Sequence, residues 1–295
     1  MKYRRLGRTE LSVSAVGMGT WQFAGVWDQA FTQGDVDRIF ASAAGLGVNF
    51  IDTAECYGAG HVSERFIGNA IAGERDKWII ATKFGHNPEN DLGDENYSAP
   101  QVQIQLEASL RALRTEVIDV YQLHSAGNRF FNNDELWTML DKQVQAGKIR
   151  FLGNSVPLKH LDVQVRKSPE YGISVIQTPY NAVDRRAEEI MPVFAELDLG
   201  FIARTPLASG FLGGRYQPGH DVAAGDVRNM VPQRVRDETA QTALELLSQR
   251  PQDMAPTTWA GAWCLQNPAV SVVIPGIKSV QQLRDNAAAA DVELP

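Results

Sequence analysis

Four residues capable of proton chemistry stand at or just beyond the ends of three successive strand-like segments: Asp52, Tyr57, Lys83 and His124. The segments cover residues 48–52, 78–83 and 118–124, and each is rich in β-branched or aromatic residues and followed by a polar turn containing glycine. In a closed parallel barrel, strand C-terminal ends and the loops after them lie on one face. The pattern therefore predicts that these four side chains form one active site.

The four residue types suit proton transfer to a carbonyl oxygen. A phenol has a pKa of about 10, so Tyr57 needs a neighbouring cation such as Lys83 to favour its phenolate. A buried lysine tends to lose its proton, which a paired carboxylate such as Asp52 prevents. His124 would donate a hydrogen bond to the carbonyl oxygen and share the charge that develops there.

Each of these residues also has an ordinary structural interpretation when it is taken singly. Tyr57 could be a packing residue with a satisfied hydroxyl, and Asp52 could be the N-cap of a following helix. Lys83 could be an exposed strand end, and a lone histidine at a strand end is more often structural. Their shared position at the same predicted end of consecutive strands favours the catalytic interpretation.

Length and composition bound the class of protein. The chain has 295 residues, 44% hydrophobic and 21% charged, which predicts one large domain over residues 1–295. A net charge of -7 argues against nucleic acid as a partner. Cys56 and Cys264 are too few for a disulfide framework or a zinc site, so we expect reduced thiols and no metal. The absence of a secretory signal and of a long apolar run predicts a cytoplasmic protein that does not enter a membrane.

Strand-like and helix-like segments alternate along the chain, which predicts an α/β protein with a (β/α)8 TIM barrel. The predicted strands are residues 15–18, 48–52, 78–83, 118–123, 149–153, 175–178, 200–204 and 270–274. The clearest predicted helices are residues 35–46, 100–113 and 136–144. Residues 3–6 and 12–15 predict an N-terminal β-hairpin that caps the barrel. Residues 213–225 predict a surface loop at the C-terminal face, mobile without ligand.

Five phrases closely resemble the aldo-keto reductase family: Gly17-Met18-Gly19-Thr20-Trp21, Asp52-Thr53-Ala54-Glu55-Cys56-Tyr57-Gly58, Ala81-Thr82-Lys83, Leu123-His124 and Ile274-Pro275-Gly276. Their order and spacing fit over nearly the whole chain. The resemblance implies an eight-stranded barrel with a nicotinamide cofactor extended across its top, bound without a Gly-rich fingerprint. It also implies that Tyr57 is the general acid, that Lys83 and Asp52 tune it, and that His124 positions the carbonyl.

The same resemblance implies a set of cofactor contacts: Gly19, Thr20, Trp21, Asp52, Ser155, Gln177, Arg204, Pro206, Leu207, Ser209, Gly210, Leu212, Arg215, Gly276, Lys278, Gln282, Asp285 and Asn286. Ser155 and Gln177 match the residues that hold the nicotinamide carboxamide. Val156 stands where the family has asparagine, so either Asn154 compensates or the amide finds another donor.

Two positively charged residues of this set bear on the choice of cofactor. Arg204 stands where many relatives have an aromatic residue, and its fixed charge would disfavour the cationic, oxidised ring. Lys278 is a candidate partner for a 2'-phosphate, so NADP(H) is preferred as cofactor, with NAD(H) as the alternative.

Aromatic and polar residues are expected around the substrate: Trp21, Trp27, Tyr57, Phe84 and His124. A partly apolar cleft favours small aldehydes or ketones and their alcohols. Two other functions stay open, namely oxidation of a sugar or alcohol with NAD(P)+, and a cofactor-binding regulatory subunit resembling the family's potassium-channel β subunits. The sequence makes no prediction of oligomeric state.

Overall fold

The protein is built around an eight-stranded parallel barrel, seen in a computed structural model that describes residues 1–27, 29–86 and 96–294. The strands are β1 (Tyr3–Arg5), β2 (Ser12–Ser14), β3 (Met18–Gly19), β4 (Phe50–Asp52), β5 (Ile79–Phe84), β6 (Ile118–His124), β7 (Ile149–Ser155), β8 (Ile173–Pro179), β9 (Gly200–Arg204) and β10 (Val272–Ile274). The α-helices are α1 (Gln33–Gly45), α2 (Val62–Ala70), α3 (Ala99–Leu113), α4 (Asn128–Phe131), α5 (Asp134–Gln145), α6 (Leu161–Arg166), α7 (Met191–Glu196), α8 (Gln233–Leu247), α9 (Pro256–Gln266) and α10 (Val280–Ala287).

Short 3-10 helices fill several of the connections: Trp21–Ala24, Arg75–Lys77, Leu158–His160, Ser168–Tyr171, Arg186–Ile190, Ala208–Gly213, Val227–Met230 and Ala288–Asp291. No described helix is long and apolar enough to cross a membrane.

Strands β3 to β10 pair in chain order, and all of these pairs are parallel. The two edge strands meet through isolated parallel bridges that join Val16 to Val273 and Gly19 to Gly276. At this seam the Gly19 amide donates to the Pro275 carbonyl oxygen at 3.0 Å. The predicted (β/α)8 barrel is therefore confirmed, and its seam is closed by isolated bridges instead of a continuous ladder.

Most predicted elements lie where the sequence places them. The three named helices are confirmed within two residues at each end, as α1, α3 and α5. The first barrel strand is the largest deviation, because it was predicted over residues 15–18 and is assigned to Met18–Gly19. Val16 makes a single bridge instead of a continuous ladder, so the regular strand starts later than the apolar pattern does.

Side chains alternate between the barrel interior and the helix-covered outside. One buried cluster fills the interior: Phe50, Ala81, Val120, Val175, Ile202, Val272 and Ile274, with Leu6, Leu11 and Val13. Their chain neighbours Ile51, Ile80, Tyr121, Ile176, Phe201 and Val273 belong to a second cluster beneath the helices. At the ends of these strands, the same inward alternation is followed by five polar or charged residues: Asp52, Lys83, His124, Gln177 and Arg204. The alternation of each strand therefore aims these polar groups into one space.

The predicted N-terminal hairpin is present, with β1 and β2 paired antiparallel. Leu6, in its turn, is fully buried and packs with the interior cluster. The hairpin therefore closes the end of the barrel opposite the polar groups.

The connection from β9 to β10 is the longest at the C-terminal face. Residues 214–226 contain no helix or strand, as predicted for the loop at 213–225. Its mobility without ligand stays a prediction, as does the organisation of residues 1–295 as one domain. The loop is followed by α8, a helix that the sequence did not predict, and by α9, which carries Trp259 and Trp263.

Candidate active site

Lys83 lies at the centre of the four predicted catalytic residues. It is 1% exposed, and its Nζ donates hydrogen bonds to Asp52 Oδ2 at 2.8 Å, to the Thr53 carbonyl oxygen at 2.8 Å and to the Tyr57 hydroxyl at 3.2 Å. These contacts use all three donors of an ammonium group. Burial opposes the charge, but Asp52 and Tyr57 raise the pKa of Lys83 above its ordinary value. A fixed positive charge therefore faces the phenol.

Tyr57 keeps its proton in this setting. Burial, the largest influence, raises the pKa of Tyr57 to about 12, with Lys83 opposing the rise and Asp52 adding to it. Such a phenol is protonated at neutral pH, and Lys83 stabilises the phenolate once the proton has left. Tyr57 can therefore serve as an acid toward an oxygen that becomes basic. The turn after Tyr57 requires glycine, because Gly58 has a φ of +84° and a Cβ there would lie 2.4 Å from Val62 Cγ1.

His124 is the last residue of β6, and its ring centroid lies 6.1 Å from that of Tyr57. Burial first, then His86, Lys83 and Arg204, lower the pKa of His124 well below its ordinary value. The imidazole is therefore neutral. A neutral imidazole carries one N–H donor, which suits a hydrogen bond to a carbonyl oxygen.

Asp52 is held through both of its carboxylate oxygens. Oδ2 accepts from Lys83, while Oδ1 accepts from Gln177 Nε2 at 2.6 Å and from Gln122 Nε2 at 3.4 Å. The Ser155 hydroxyl donates to Gln177 Oε1 at 3.3 Å. The predicted carboxamide contacts Ser155 and Gln177 are thereby coupled to the Asp52 carboxylate. Gln122 was not predicted, although its inward position two residues before His124 was a usable signal.

A cleft of about 650 Å³ opens above this group, at the C-terminal face of the barrel. Most of the predicted site residues line it: Gly19, Thr20, Trp21, Trp27, Asp52, Tyr57, His124, Ser155, Gln177, Arg204, Pro206, Leu207, Ser209, Gly210, Arg215, Gly276, Lys278, Gln282, Asp285 and Asn286. Lys83 lies behind Tyr57 and Asp52. In the described part of the chain, no three His, Cys, Asp or Glu side chains group as they would around a metal ion.

Phe84 and Leu212 do not reach the cleft. Phe84 follows the inward-facing Lys83 on β5, so its side chain points outward, where it is fully buried with its ring 4.7 Å from that of Tyr121. The prediction that the Phe84 side chain contacts the substrate is therefore wrong. Leu212 is fully buried in a cluster that includes Phe211 and residues of α8, so its side chain packs beneath the loop.

Val156 stands where the family resemblance implies an asparagine, and Asn154 does not take over the role of that asparagine. Because Ser155 faces the cleft, its neighbours on β7 point to the opposite side. The Asn154 side chain donates to Gln164 Oε1 on α6 at 2.9 Å, and Val156 is fully buried in the core. Of the two alternatives, compensation by Asn154 is excluded by this contact.

Arg204 ends β9 and brings a guanidinium group to the cleft. Burial lowers the pKa of Arg204, with Tyr57 and Asp52 opposing the shift, and the group stays charged because arginine does not deprotonate in proteins. Its Nε is buried and has no hydrogen-bond partner among the described residues. The loop after it is strained, since Thr205, Ala208 and Ser209 have φ values of 53°, 47° and 55°. Such left-handed residues cluster at ligand-binding sites.

Several residues that line the cleft are absent from the predicted set, among them His86, Arg228 and Tyr216. His86 lies just past β5, with its ring centroid 4.6 Å from that of His124, and its place after a strand end was an available signal. Arg228 pairs with Asp226 and lies 4.2 Å from the ring centroid of Tyr216. Arg228 and Tyr216 belong to the long β9–β10 connection, where the sequence shows no pattern that brings them to the cleft.

Comparison with known proteins agrees with this geometry. The model of the Aldo/keto reductase family matches residues 15–295. The chain belongs to the aldo/keto reductase family. Its named relatives are reductases and oxidoreductases, and this chain is an NAD(P)-dependent oxidoreductase that acts on carbonyl or CH–OH groups. An uncharacterized oxidoreductase of Bacillus subtilis, YrpG, is 31% identical over 314 residues, which cover 100% of this chain and 92% of the relative.

Two further relatives differ in the cofactor that their names carry. The aldo-keto reductase yakc [NADP(+)] of Schizosaccharomyces pombe is 29% identical, covering 99% of this chain and 87% of its own. The NADH-specific methylglyoxal reductase of Escherichia coli is 29% identical, covering 100% and 95%. Among solved structures, the aldo-keto reductase AKR11C1 from Bacillus halodurans, in its holo form, has a TM-score of 0.82 and 29% identity, covering 99% and 92%.

Proposed function

We propose that this aldo/keto reductase reduces small aldehydes or ketones to alcohols with NADPH, and that Tyr57 is its general acid. The observation that carries the proposal is the hydrogen bond of 3.2 Å between the Tyr57 hydroxyl and Lys83 Nζ, next to a neutral His124 and open to the cleft. A protonated phenol beside a fixed cation can give up a proton as negative charge develops on a carbonyl oxygen.

The cleft carries polar and positively charged groups that suit a nicotinamide dinucleotide. Ser155 and Gln177 offer a hydroxyl and an amide at the catalytic end, while Arg215 and Lys278 offer positive charge farther along. Lys278 lines the cleft, and its Nζ donates to the Trp27 carbonyl oxygen at 2.6 Å, which places a positive charge where it can attract a phosphate. We propose that Ser209, Gly210 and Arg215 contact the pyrophosphate, and that Lys278, Gln282, Asp285 and Asn286 contact the adenosine end.

The chain's own groups then have distinct tasks. The reduced nicotinamide, when bound, supplies the hydride that reaches the carbonyl carbon. His124 donates a hydrogen bond to the carbonyl oxygen and holds it near Tyr57. The Tyr57 hydroxyl transfers its proton to that oxygen, which yields the alcohol. Lys83, held by Asp52, stabilises the phenolate that remains.

The first experiment measures NADPH oxidation against a panel of aldehydes and ketones. Tyr57→Phe should lower kcat by about 10²- to 10⁴-fold, the usual contribution of a general acid, with the Kd for NADPH unchanged. Tyr171→Phe, which removes a hydroxyl bonded to Asp134 away from the cleft, is the matched control. Full activity of Tyr57→Phe would refute its role. Tight NADPH binding without turnover of any carbonyl would favour a regulatory subunit, and turnover only with alcohols and NAD(P)+ would favour a dehydrogenase.

The preference for NADPH rests on Lys278. Lys278→Ala should raise the Kd for NADPH about tenfold and leave the Kd for NADH nearly unchanged, because only NADPH carries the 2'-phosphate. Lys142→Ala, on the exposed face of α5, controls for the loss of one charge. An unaltered ratio of the two dissociation constants would remove Lys278 from this role. A cytoplasmic location stays a prediction of the sequence.

A further inference from the structure

Cys56 makes a contact with His124 that the proposed chemistry has not used. Its Sγ lies 3.7 Å from His124 Nδ1, and the thiol is 1% exposed. From the sequence, Cys56 is most simply a small apolar residue beside Tyr57. In the structure, the thiol faces Nδ1 of the His124 ring. The other ring nitrogen, Nε2, lies on the opposite side of the ring.

A neutral imidazole has one N–H group, so the position of its proton decides what His124 can do. With the proton on Nε2, the ring donates to a carbonyl oxygen and Nδ1 must accept. With the proton on Nδ1, the Nε2 lone pair would face the carbonyl oxygen and repel it. The pKa of His124, held well below its ordinary value by burial, His86, Lys83 and Arg204, keeps the ring from carrying both protons.

The other polar neighbours of His124 fix its backbone. The Tyr97 hydroxyl donates to the His124 carbonyl oxygen at 2.7 Å, and His86 Nε2 lies 3.0 Å from the same oxygen. These two hydrogen bonds are made to the backbone oxygen of His124. The Cys56 thiol, at 3.7 Å from Nδ1, is placed to influence which ring nitrogen carries the proton. A thiol is a weak donor as well as a weak acceptor, and a hydrogen-bond partner at one ring nitrogen sets which nitrogen carries the proton.

We propose that Cys56 is a positioning residue whose thiol donates a hydrogen bond to His124 Nδ1 and thereby keeps the proton on Nε2, toward the substrate. The inference rests on the proposed function only in taking the substrate atom at Nε2 to be a carbonyl oxygen. A serine at position 56 retains a donor of similar size, whereas an alanine has none.

The test is NMR of the full-length protein with 15N-labelled histidine. The chain has five histidines, and two-bond proton–nitrogen correlations separate the two neutral tautomers, with the His124 signals assigned by their loss in His124→Gln. We expect the proton on Nε2 in the wild type and in Cys56→Ser, and a shift of population toward Nδ1–H in Cys56→Ala. Cys264→Ala, which removes the other buried thiol, should leave the His124 signals unchanged.

Kinetics supply the second readout. Cys56→Ala should lower kcat for carbonyl reduction by roughly three- to tenfold, with the Kd for NADPH unchanged, and Cys56→Ser should restore most of it. A wild-type ring protonated on Nδ1, or a Cys56→Ala spectrum identical to the wild-type one, would overturn the proposal. Because the spectrum needs no substrate, it gives its answer even if no carbonyl in the panel is reduced.

Discussion

At the scale of residues, the site is a series of hydrogen bonds, one of them also an ion pair, that runs from Gln177 to Tyr57. Gln177 holds one carboxylate oxygen of Asp52, the other oxygen holds Lys83, and Lys83 faces the phenol. Removing Asp52 or Lys83 would leave an uncompensated buried charge, so these contacts depend on one another. The sequence identified the four reactive residues, but the amide link to Asp52 depends on β8 lying near β4 across the barrel.

Arg204 is one of two residues at which the site departs from the pattern that the family resemblance implies. Its charged guanidinium lies near Tyr57 and Asp52, and we expect it to disfavour an oxidised, cationic nicotinamide. Arg204→Tyr should therefore reduce the ratio of the Kd for NADP+ to the Kd for NADPH by about three- to tenfold. Titration calorimetry with each cofactor measures both constants, and Arg186→Tyr, at the exposed start of the 3-10 helix Arg186–Ile190, is the control. Unchanged constants for both cofactors would show that Arg204 does not sense the ring charge.

At the scale of elements, the two-residue alternation of the strands decides which predicted residues reach the site. Lys83 and Ser155 face inward, so Phe84 and Asn154 on the same strands face outward. The sequence alone could have excluded both, because the inward register follows from the positions of the proposed catalytic residues. It could not have placed Arg228 or Tyr216, because the β9–β10 connection has no period from which to infer a direction.

The seam between β3 and β10 is the element-scale feature that closes the barrel beside the cleft. A Cβ at Gly19 would lie 2.8 Å from the Ile274 carbonyl oxygen, closer than backbone atoms tolerate. Gly19→Ala should therefore push the seam apart and lower the free energy of unfolding by about 1–3 kcal/mol. Urea unfolding measures this change, with Gly45→Ala in α1 as the control, since a Cβ there meets nothing within 4 Å. Equal stability of the two variants would contradict the role of Gly19 in closure.

At the scale of the whole molecule, the two ends of the barrel have separate tasks. The hairpin fills one end with apolar side chains, and the cleft with its polar groups lies at the other. The sequence predicted this division, because turn residues separate two short strands before the first barrel unit and reactive residues follow the strand ends. The path of the long β9–β10 connection over the cleft depends on packing that no local pattern encodes.

Leu6 tests the separation of the two ends. It is fully buried at the hairpin end, so Leu6→Ala should lower the free energy of unfolding by about 2–5 kcal/mol and leave kcat of the folded enzyme nearly unchanged. Ile104→Ala is the matched control, because Ile104 is 59% exposed on α3 and its truncation should cost little. Urea unfolding with steady-state kinetics measures both quantities. A large fall in kcat of folded Leu6→Ala would show that the hairpin is coupled to the site.

The central claim is that hydride from a reduced nicotinamide reaches a carbonyl carbon in the cleft while Tyr57 protonates its oxygen. The most direct test is a single turnover of an aldehyde from the active panel with NADPH deuterated at the transferring position of its ring, followed by mass spectrometry of the alcohol. We expect one deuterium on the carbinol carbon in the wild type, and formation of the same labelled alcohol to be slowed about 10²- to 10⁴-fold in Tyr57→Phe. An alcohol without deuterium, or a Tyr57→Phe rate equal to that of the wild type, would contradict the claim.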